Sequence, residues 1–173
     1  MNNLKLVKPN ETYIDQIIKY KEEFLLDNSH LHGTAGLSHY SDISEWLQHV
    51  KDLENKETIP ACNVPSTLFL TIDIENNELI GMIDIRHYLN QNLMSCGGHI
   101  GYSIKPSKRR LGYGTKQLSL ALEECKKMNI NEVLITCDEF NIGSKKIILN
   151  NSGIFHSKIK NKVEDIERYW IKL

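Results

Sequence analysis

The amino-acid sequence predicts an α/β domain built on a mixed sheet, and three observations carry that expectation. Strand-like and helix-like runs alternate along the chain. The longest helical run is followed by Val133-Leu-Ile-Thr-Cys137, an unbroken apolar segment typical of a strand covered on both faces. The 173 residues, 40% of them hydrophobic, suit one core without disulfide staples, and no linker interrupts them. We therefore expect one domain over residues 1–173.

Leu4 to Val7 reads as a short first strand, and Asn10 as the cap of a helix in which Ile14, Ile17, Ile18, Tyr20 and Phe24 recur at helical spacing. Asp27 to Leu37 contains His30, His32, Gly33 and Gly36 and reads as a long loop, a kind of segment that often carries function. A second helix is expected from Asp42 to Leu53, with Ile43, Trp46, Leu47 and Val50 on its apolar face. Thr67–Asp73 and Leu79–Arg86 are strand-like runs separated by Glu75-Asn-Asn-Glu78, the signal of an antiparallel hairpin. His99–Ile104 reads as a further strand. Gly112 to Met128 is the clearest helix, with Leu118, Ala121, Leu122 and Cys125 on one face and Lys126 and Lys127 at the end where the macrodipole favours cations. Val133–Cys137 is expected in a central position. A short helix from Ile142 to Asn150 and strands at Phe155–Lys160 and Asp165–Lys172 complete the order.

Twenty-one basic residues against 22 acidic ones give net charge -1, which supplies no whole-molecule attraction for nucleic acid or an anionic membrane. Any anion site must be local. No apolar run approaches the roughly 18–20 residues of a membrane span, and the stretch from Met1 to Pro9 does not resemble a secretory signal, so we expect a cytoplasmic protein. Cys62, Cys96, Cys125 and Cys137 form no Cys-x-x-Cys pair and no zinc-ligand spacing, so neither a disulfide framework nor a metal is expected. Cys125 and Cys137 read as core thiols, and Trp46 and Trp170 as packing anchors.

The informative segment is Ile104-Lys-Pro-Ser-Lys-Arg-Arg-Leu-Gly-Tyr-Gly-Thr-Lys116, between a strand and the longest helix. Gly112 and Gly114 let backbone N–H groups converge without side-chain obstruction, and the helix start adds unpaired donors and a positive dipole end. Arg109 and Arg110 add charge suited to a phosphate. The plainer alternative is a glycine-bearing turn beside two solvated cations. A Walker loop does not fit, because Thr115 separates Gly114 from Lys116; nor does a dinucleotide fingerprint, because Gln117 stands where a small residue is needed.

Arg109-Arg110-Leu111-Gly112-Tyr113-Gly114 does fit the pattern Arg/Gln-x-x-Gly-x-Gly/Ala, and here the sequence resembles the GNAT superfamily of acetyl-CoA-dependent N-acetyltransferases. The resemblance implies a mixed, mostly antiparallel central sheet of about six to seven strands flanked by helices. It also implies that Ile104 and the loop from Arg109 through Tyr113 and Gly114 to Thr115 wrap acetyl-CoA. A second signature, Asn-x-x-Ser, occurs as Asn141-Ile-Gly-Ser144; the resemblance assigns Asn141 to the pantetheine arm and places Ser144 near the cofactor. Read without the family, Asn141 is a helix cap or turn residue. Gly97-Gly-His-Ile-Gly-Tyr-Ser-Ile-Lys-Pro106 resembles a bacterial subgroup of the family.

The implied reaction is direct attack of a neutral amine on the thioester of acetyl-CoA, the acceptor being a primary amine of a small molecule or peptide. Backbone N–H groups of the strand near Ile104 would hold the thioester carbonyl. His99 is the first candidate base, its ordinary pKa of about 6.5 suiting the task; the alternative is a hydrogen-bonded structural histidine. His87 and Asp84, on the preceding strand, are the next candidate bases; Asp84, Arg86 and His87 are also candidates for the acceptor side, Asp84 for a cationic amine and Arg86 for a carboxylate or for pairing with Asp84. His30, His32 and His39 could line the acceptor site or remain solvated loop residues. Many family members carry a tyrosine four residues after the position of Ser144 to protonate the departing thiolate; this chain has Ile148, which has no proton to donate. Tyr102, Tyr113, Ser144 or water must then serve. A non-catalytic acyl-CoA-binding sensor or partner-binding module is the competing expectation, and the last strands could support a homodimer.

Overall fold

The computed structural model describes residues 3–160 and 164–173; Met1 and Asn2, which open the stretch read for a secretory signal, lie outside them. The elements run β1 (Leu4–Val7), α1 (Ile14–Leu26), α2 (Ile43–Leu53), β2 (Ser66–Asp73), β3 (Glu78–Arg86), α3 (Gln91–Ser95), β4 (Ile100–Ile104), α4 (Tyr113–Lys127), β5 (Glu132–Asp138), α5 (Ile142–Leu149), β6 (Ile154–Ile159) and β7 (Ile166–Lys172). Side-chain caps begin several of them. Asn10 accepts from the Thr12 N–H in the turn that leads into α1, and Asp42 accepts from the Ser44 N–H at the start of α2. The short helix α3 has no periodic signal in sequence; Asn90 caps it by accepting from the Leu93 N–H.

The described residues form seven strands, in agreement with the six to seven expected, and every pair among them is antiparallel. They divide into two sheets, β1-β2-β3-β4 and β5-β7-β6, a division that the sequence does not announce. The sheets touch where β4 begins. The His99 N–H donates to the Leu134 carbonyl at 2.7 Å, and the Gly97 N–H donates to Thr136 Oγ1 at 3.0 Å. Gly98 makes this approach possible: its φ is +62°, and a Cβ there would overlap the Leu134 carbonyl. Beyond that point no ladder joins Ile100–Ile104 to β5 among the described residues, so the strands part and leave a slot between the sheets. Val133, Leu134 and Ile135 of β5 are fully buried, as expected of a strand covered on both faces.

Each face of the first sheet has its own core. On one, Phe69, Ile83, Ile85 and Ile100 pack with Leu118, Ala121, Leu122 and Cys125 of α4, together with Val133, Ile135 and Ile148. Each fully buried leucine there contributes about 1.5–3 kcal/mol. On the other, Leu68, Leu70 and Met82 meet Ile17, Tyr20 and Phe24 of α1 and Trp46, Leu47 and Val50 of α2. Trp46 is completely buried and donates from Nε1 to the Thr34 carbonyl at 3.0 Å, so it anchors the loop between α1 and α2 as well as packing. The slot between β4 and β5 thus opens toward two different helical layers.

Candidate active site

The turn into α4 is built from left-handed backbone. Arg110 has φ +65° and Gly112 φ +82°, and nothing lies within 4 Å of a Cβ placed on Gly112. The first α-helical bond runs from the Lys116 N–H to the Gly112 carbonyl, so the N–H groups of Tyr113, Gly114 and Thr115 precede the ladder. These are donors around open space, the arrangement a pyrophosphate requires. At Gly114 a Cβ would overlap Ile147, so the missing side chain lets α5 lie against the start of α4. Asn151 fastens that contact, donating from Nδ2 to the Thr115 carbonyl at 3.1 Å and the Ile147 carbonyl at 2.8 Å. Leu111 is exposed, whereas the Tyr113 ring packs with Leu4, Ile80 and Ile104, leaving Tyr113 no side-chain role in the cradle.

The charges around the cradle correct one expectation. Arg109 is not free for a phosphate: Nε donates to the Ile104 carbonyl at 3.2 Å, Nη1 to Asp27 at 2.8 Å and Nη2 to Ser29 Oγ at 2.8 Å, with the guanidinium over the Phe24 ring. Its planar fork clamps the turn to the end of α1. Lys105 and Lys108 pair with Glu78. Among the described residues Arg110 and Lys116 form no ion pair, and they are the cations left beside the open N–H groups. The Ile104 carbonyl turns away from β3 to meet Arg109, and the Lys105 N–H bonds the Ile80 carbonyl. Alternation therefore directs the N–H groups of Tyr102 and Ile104 into the slot.

Across the slot Tyr102 and Ser144 share a hydrogen bond of 2.7 Å between their hydroxyl oxygens. Burial holds the Tyr102 hydroxyl well above the usual phenol range, with the Ser144 bond opposing, so it keeps its proton. Asn141 caps α5, accepting from the Ser144 N–H at 2.9 Å, which fixes the serine at the first turn. Ile148, one turn after Ser144 on α5, is completely buried against Gly153 and in the cluster of Ile100, Val133 and Ile135, so an apolar side chain stands at its position. Burial raises the thiols of Cys137 and Cys125 to about 11 and about 12; neither is a thiolate near neutral pH.

His99 takes the hydrogen-bonded structural arrangement in this fold. Its Nδ1 accepts the Leu134 N–H at 2.9 Å while its own N–H bonds the Leu134 carbonyl, and its ring lies edge-on to Trp170. In the neutral ring the proton then sits on Nε2, leaving no free lone pair. Burial, reinforced by the Arg86 charge, lowers its pKa from 6.5 to about 4. The unfolded chain binds that proton more tightly, so the stabilisation is complete above pH 6.5 and drains away as pH falls toward 4, by about 3 kcal/mol. We expect the thermal midpoint to drop between pH 7 and pH 4.5, and His99→Asn to be less stable at pH 7 with a flatter acid profile. Parallel profiles for the two proteins would contradict this role.

Asp84, Arg86 and His87 lie on β3 and just beyond it. Asp84 is directed, with Met82, toward the α1 and α2 layer rather than toward Tyr102 and Ser144. It is buried, Oδ1 has no hydrogen-bond partner, and Oδ2 stands 3.8 Å from Arg86 Nε. Burial raises its pKa, and Arg86 opposes the rise. Arg86 donates from Nη1 to the Gly97 and Gly98 carbonyls, holding the turn before β4. His87 Nε2 is hydrogen-bonded to Thr67 Oγ1 at 2.8 Å. Asp84 and Arg86 thus stand together at the turn before β4, whereas His87 is held by β2 and the Pro65 carbonyl. Among the described residues no group of His, Cys, Asp and Glu is arranged to hold a metal ion, and no helix is long and apolar enough to cross a membrane.

The family model of the GNAT acetyltransferase domain matches residues 27–151, and the chain belongs to that family. Its fold is that of solved acetyltransferases of low identity. An acetyltransferase from Salmonella typhimurium that modifies the N-terminal serine of a 50S ribosomal subunit protein is 15% identical, with TM-score 0.69 over 100% of this chain and 96% of that one. A ribosomal-protein alanine acetyltransferase from Vibrio fischeri is 15% identical, with TM-score 0.66 over 98% and 91%. The microcin C7 self-immunity acetyltransferase MccE, solved with acetyl-CoA and AMP, is 13% identical, with TM-score 0.72 over 100% and 94%. No curated protein matches the sequence.

Proposed function

We propose that this chain transfers the acetyl group of acetyl-CoA to a primary amine by direct attack, with residues 1–173 acting as one catalytic domain. The observation that carries the reading is the slot between β4 and β5, flanked by the open cradle at Gly112 and by the Tyr102–Ser144 pair. The N–H groups from Tyr113 to Thr115, with Arg110 and Lys116, would hold the pyrophosphate of acetyl-CoA, and Nδ2 of Asn141 would meet its pantetheine arm. The outward N–H groups of Tyr102 and Ile104 would bind the thioester carbonyl as negative charge develops on it. Ser144, hydrogen-bonded to Tyr102, would protonate the departing sulfur. The high thiol pKa values of Cys125 and Cys137 support direct attack over an acyl-cysteine intermediate.

Two of the similar structures bear the names of ribosomal-protein acetyltransferases, which supports a peptide α-amine as acceptor. Such an amine, with a pKa of about 7.7–8.0, is far more often neutral near pH 7 than a lysine amine at about 10.4. Thiol release from acetyl-CoA in the presence of pooled short peptides, free amino acids or alkyl amines tests the reading. We expect release with a peptide or small-amine pool and recovery of the N-acetylated product. No release above the acceptor-free rate with any pool would overturn it.

A further inference from the structure

We propose that the His32 imidazole, presented by the α1–α2 loop on the face of β4 opposite the Tyr102–Ser144 pair, is the general base that takes the proton of the attacking amine. This rests on the transferase reading above and adds to it the residue that works on the acceptor side.

The loop is fixed to β4 rather than left to solvent. The Ser103 hydroxyl donates to the His32 carbonyl at 2.6 Å, and the completely buried Tyr20 of α1 shares a 2.9 Å hydrogen bond with the same hydroxyl. Next along the chain, Gly33 has φ +63° and rests on Gly101, so closely that a Cβ there would overlap the Gly101 carbonyl. One residue further, the Thr34 carbonyl accepts from Trp46 Nε1. Three successive residues, 32 to 34, are thus held at the backbone while the His32 side chain stays exposed. A functional side chain on a loop needs such bracing to hold its geometry.

The direction is set by the alternation of β4. Tyr102 and Ile104 face the α4 layer, where Tyr102 meets Ser144; Gly101 and Ser103 face the α1 side, where they meet Gly33 and His32. The slot connects the two sides. A thioester lying in it would present its sulfur toward Ser144 and its carbonyl carbon to an amine arriving beside His32. Asp138 ends β5 at the far lip of the slot, and its charge reaches the His32 ring.

The groups whose charge acts on His32 are His30, on its own loop with ring centroids 5.9 Å apart, and Asp138; Tyr20 and Ser103, from the elements beneath, are neutral. Partial burial, and then the His30 charge, lower the His32 pKa from 6.5, while Asp138 opposes them. The ring is neutral at pH 7 and has a lone pair to use, unlike His99. In the reaction the amine nitrogen forms its bond to the carbonyl carbon and the carbonyl π pair moves to oxygen. The nitrogen then gives a proton to the free His32 ring nitrogen. The pair returns from oxygen as the carbon–sulfur bond breaks, sulfur takes the bonding pair and the Ser144 proton, water returns a proton to the Ser144 oxygen, and His32 passes its own proton to water.

The test compares wild type, His32→Gln and Asp138→Asn in thiol release from acetyl-CoA with the peptide pool, alongside the thermal shift each shows with acetyl-CoA alone. We expect His32→Gln to lower kcat about 100-fold, the scale of general base catalysis, with the KM for acetyl-CoA and the thermal shift unchanged. Added imidazole should restore part of the rate to His32→Gly. Asp138→Asn should move the acid limb of the kcat/KM profile to lower pH, since a counter-charge is removed. Wild-type kcat and pH profile in His32→Gln would overturn the assignment of His32 alone. Absence of release by the wild-type chain would overturn the transferase reading and this inference with it.

Discussion

Replacing Gly112 by valine will abolish acetyl-CoA binding while leaving the chain folded. Gly112 sits at φ +82° at the head of α4, and no atom lies within 4 Å of the place a Cβ would occupy. No packing is therefore disturbed by the substitution. A β-branched residue is strongly disfavoured in the left-handed region, by about 1–2 kcal/mol or more, so the turn relaxes and swings its N–H groups out of convergence. Whichever backbone results, the isopropyl group fills the space that the donors surround. Wild type at an acetyl-CoA concentration 100 times its dissociation constant should gain about 2.7 kcal/mol, a rise in thermal midpoint of roughly 5–10 °C for a chain of this size. Gly112→Val should unfold within a few degrees of the ligand-free wild type and show no rise. An equal rise in both proteins would remove the cradle from the binding site.

The second large effect falls on turnover. Ser144→Ala should lower kcat about 100-fold with little change in the KM for acetyl-CoA, because the hydroxyl acts as the carbon–sulfur bond breaks and not in ground-state binding. Tyr102→Phe should cost less, since the serine keeps its place at the first turn of α5 through the Asn141 cap. Ser144→Thr, which retains a hydroxyl, should recover most of the rate. Steady-state thiol release across the three variants checks the order. A Ser144→Ala enzyme with wild-type kcat would show that the thiolate leaves without help, or that water protonates it.

The sequence was most legible where a local pattern and a tertiary requirement coincide. The apolar face of α4, Leu118, Ala121, Leu122 and Cys125, is the face that packs, and the β2–β3 hairpin is visible in alternation and turn residues. Gly112 and Gly114 were legible as special positions, and each is so for a different reason, one for its left-handed backbone and one for the approach of α5. The roles of charged and titratable side chains were not legible, because they depend on partners far away in the chain. Arg109 has the type and place of a phosphate ligand, yet Asp27 and Ser29 of the α1 end claim it. His99 has the type and place of a base, yet the contact between the two sheets occupies its lone pair. His32 was one of several loop histidines until Ser103 fixed its backbone. The signal available in the sequence was Gly33 beside it, a glycine whose purpose appears only once Gly101 is seen underneath.

The central claim is that one acetyl-CoA binds per chain in the slot between β4 and β5, with its pyrophosphate on the turn at Gly112. Calorimetric titration of the wild-type chain with acetyl-CoA tests it most directly. The account predicts saturable binding with one site per chain, lost in Gly112→Val and retained in His32→Gln and Ser144→Ala. Absence of binding by the wild-type chain at millimolar acetyl-CoA, or undiminished binding by Gly112→Val, would contradict it.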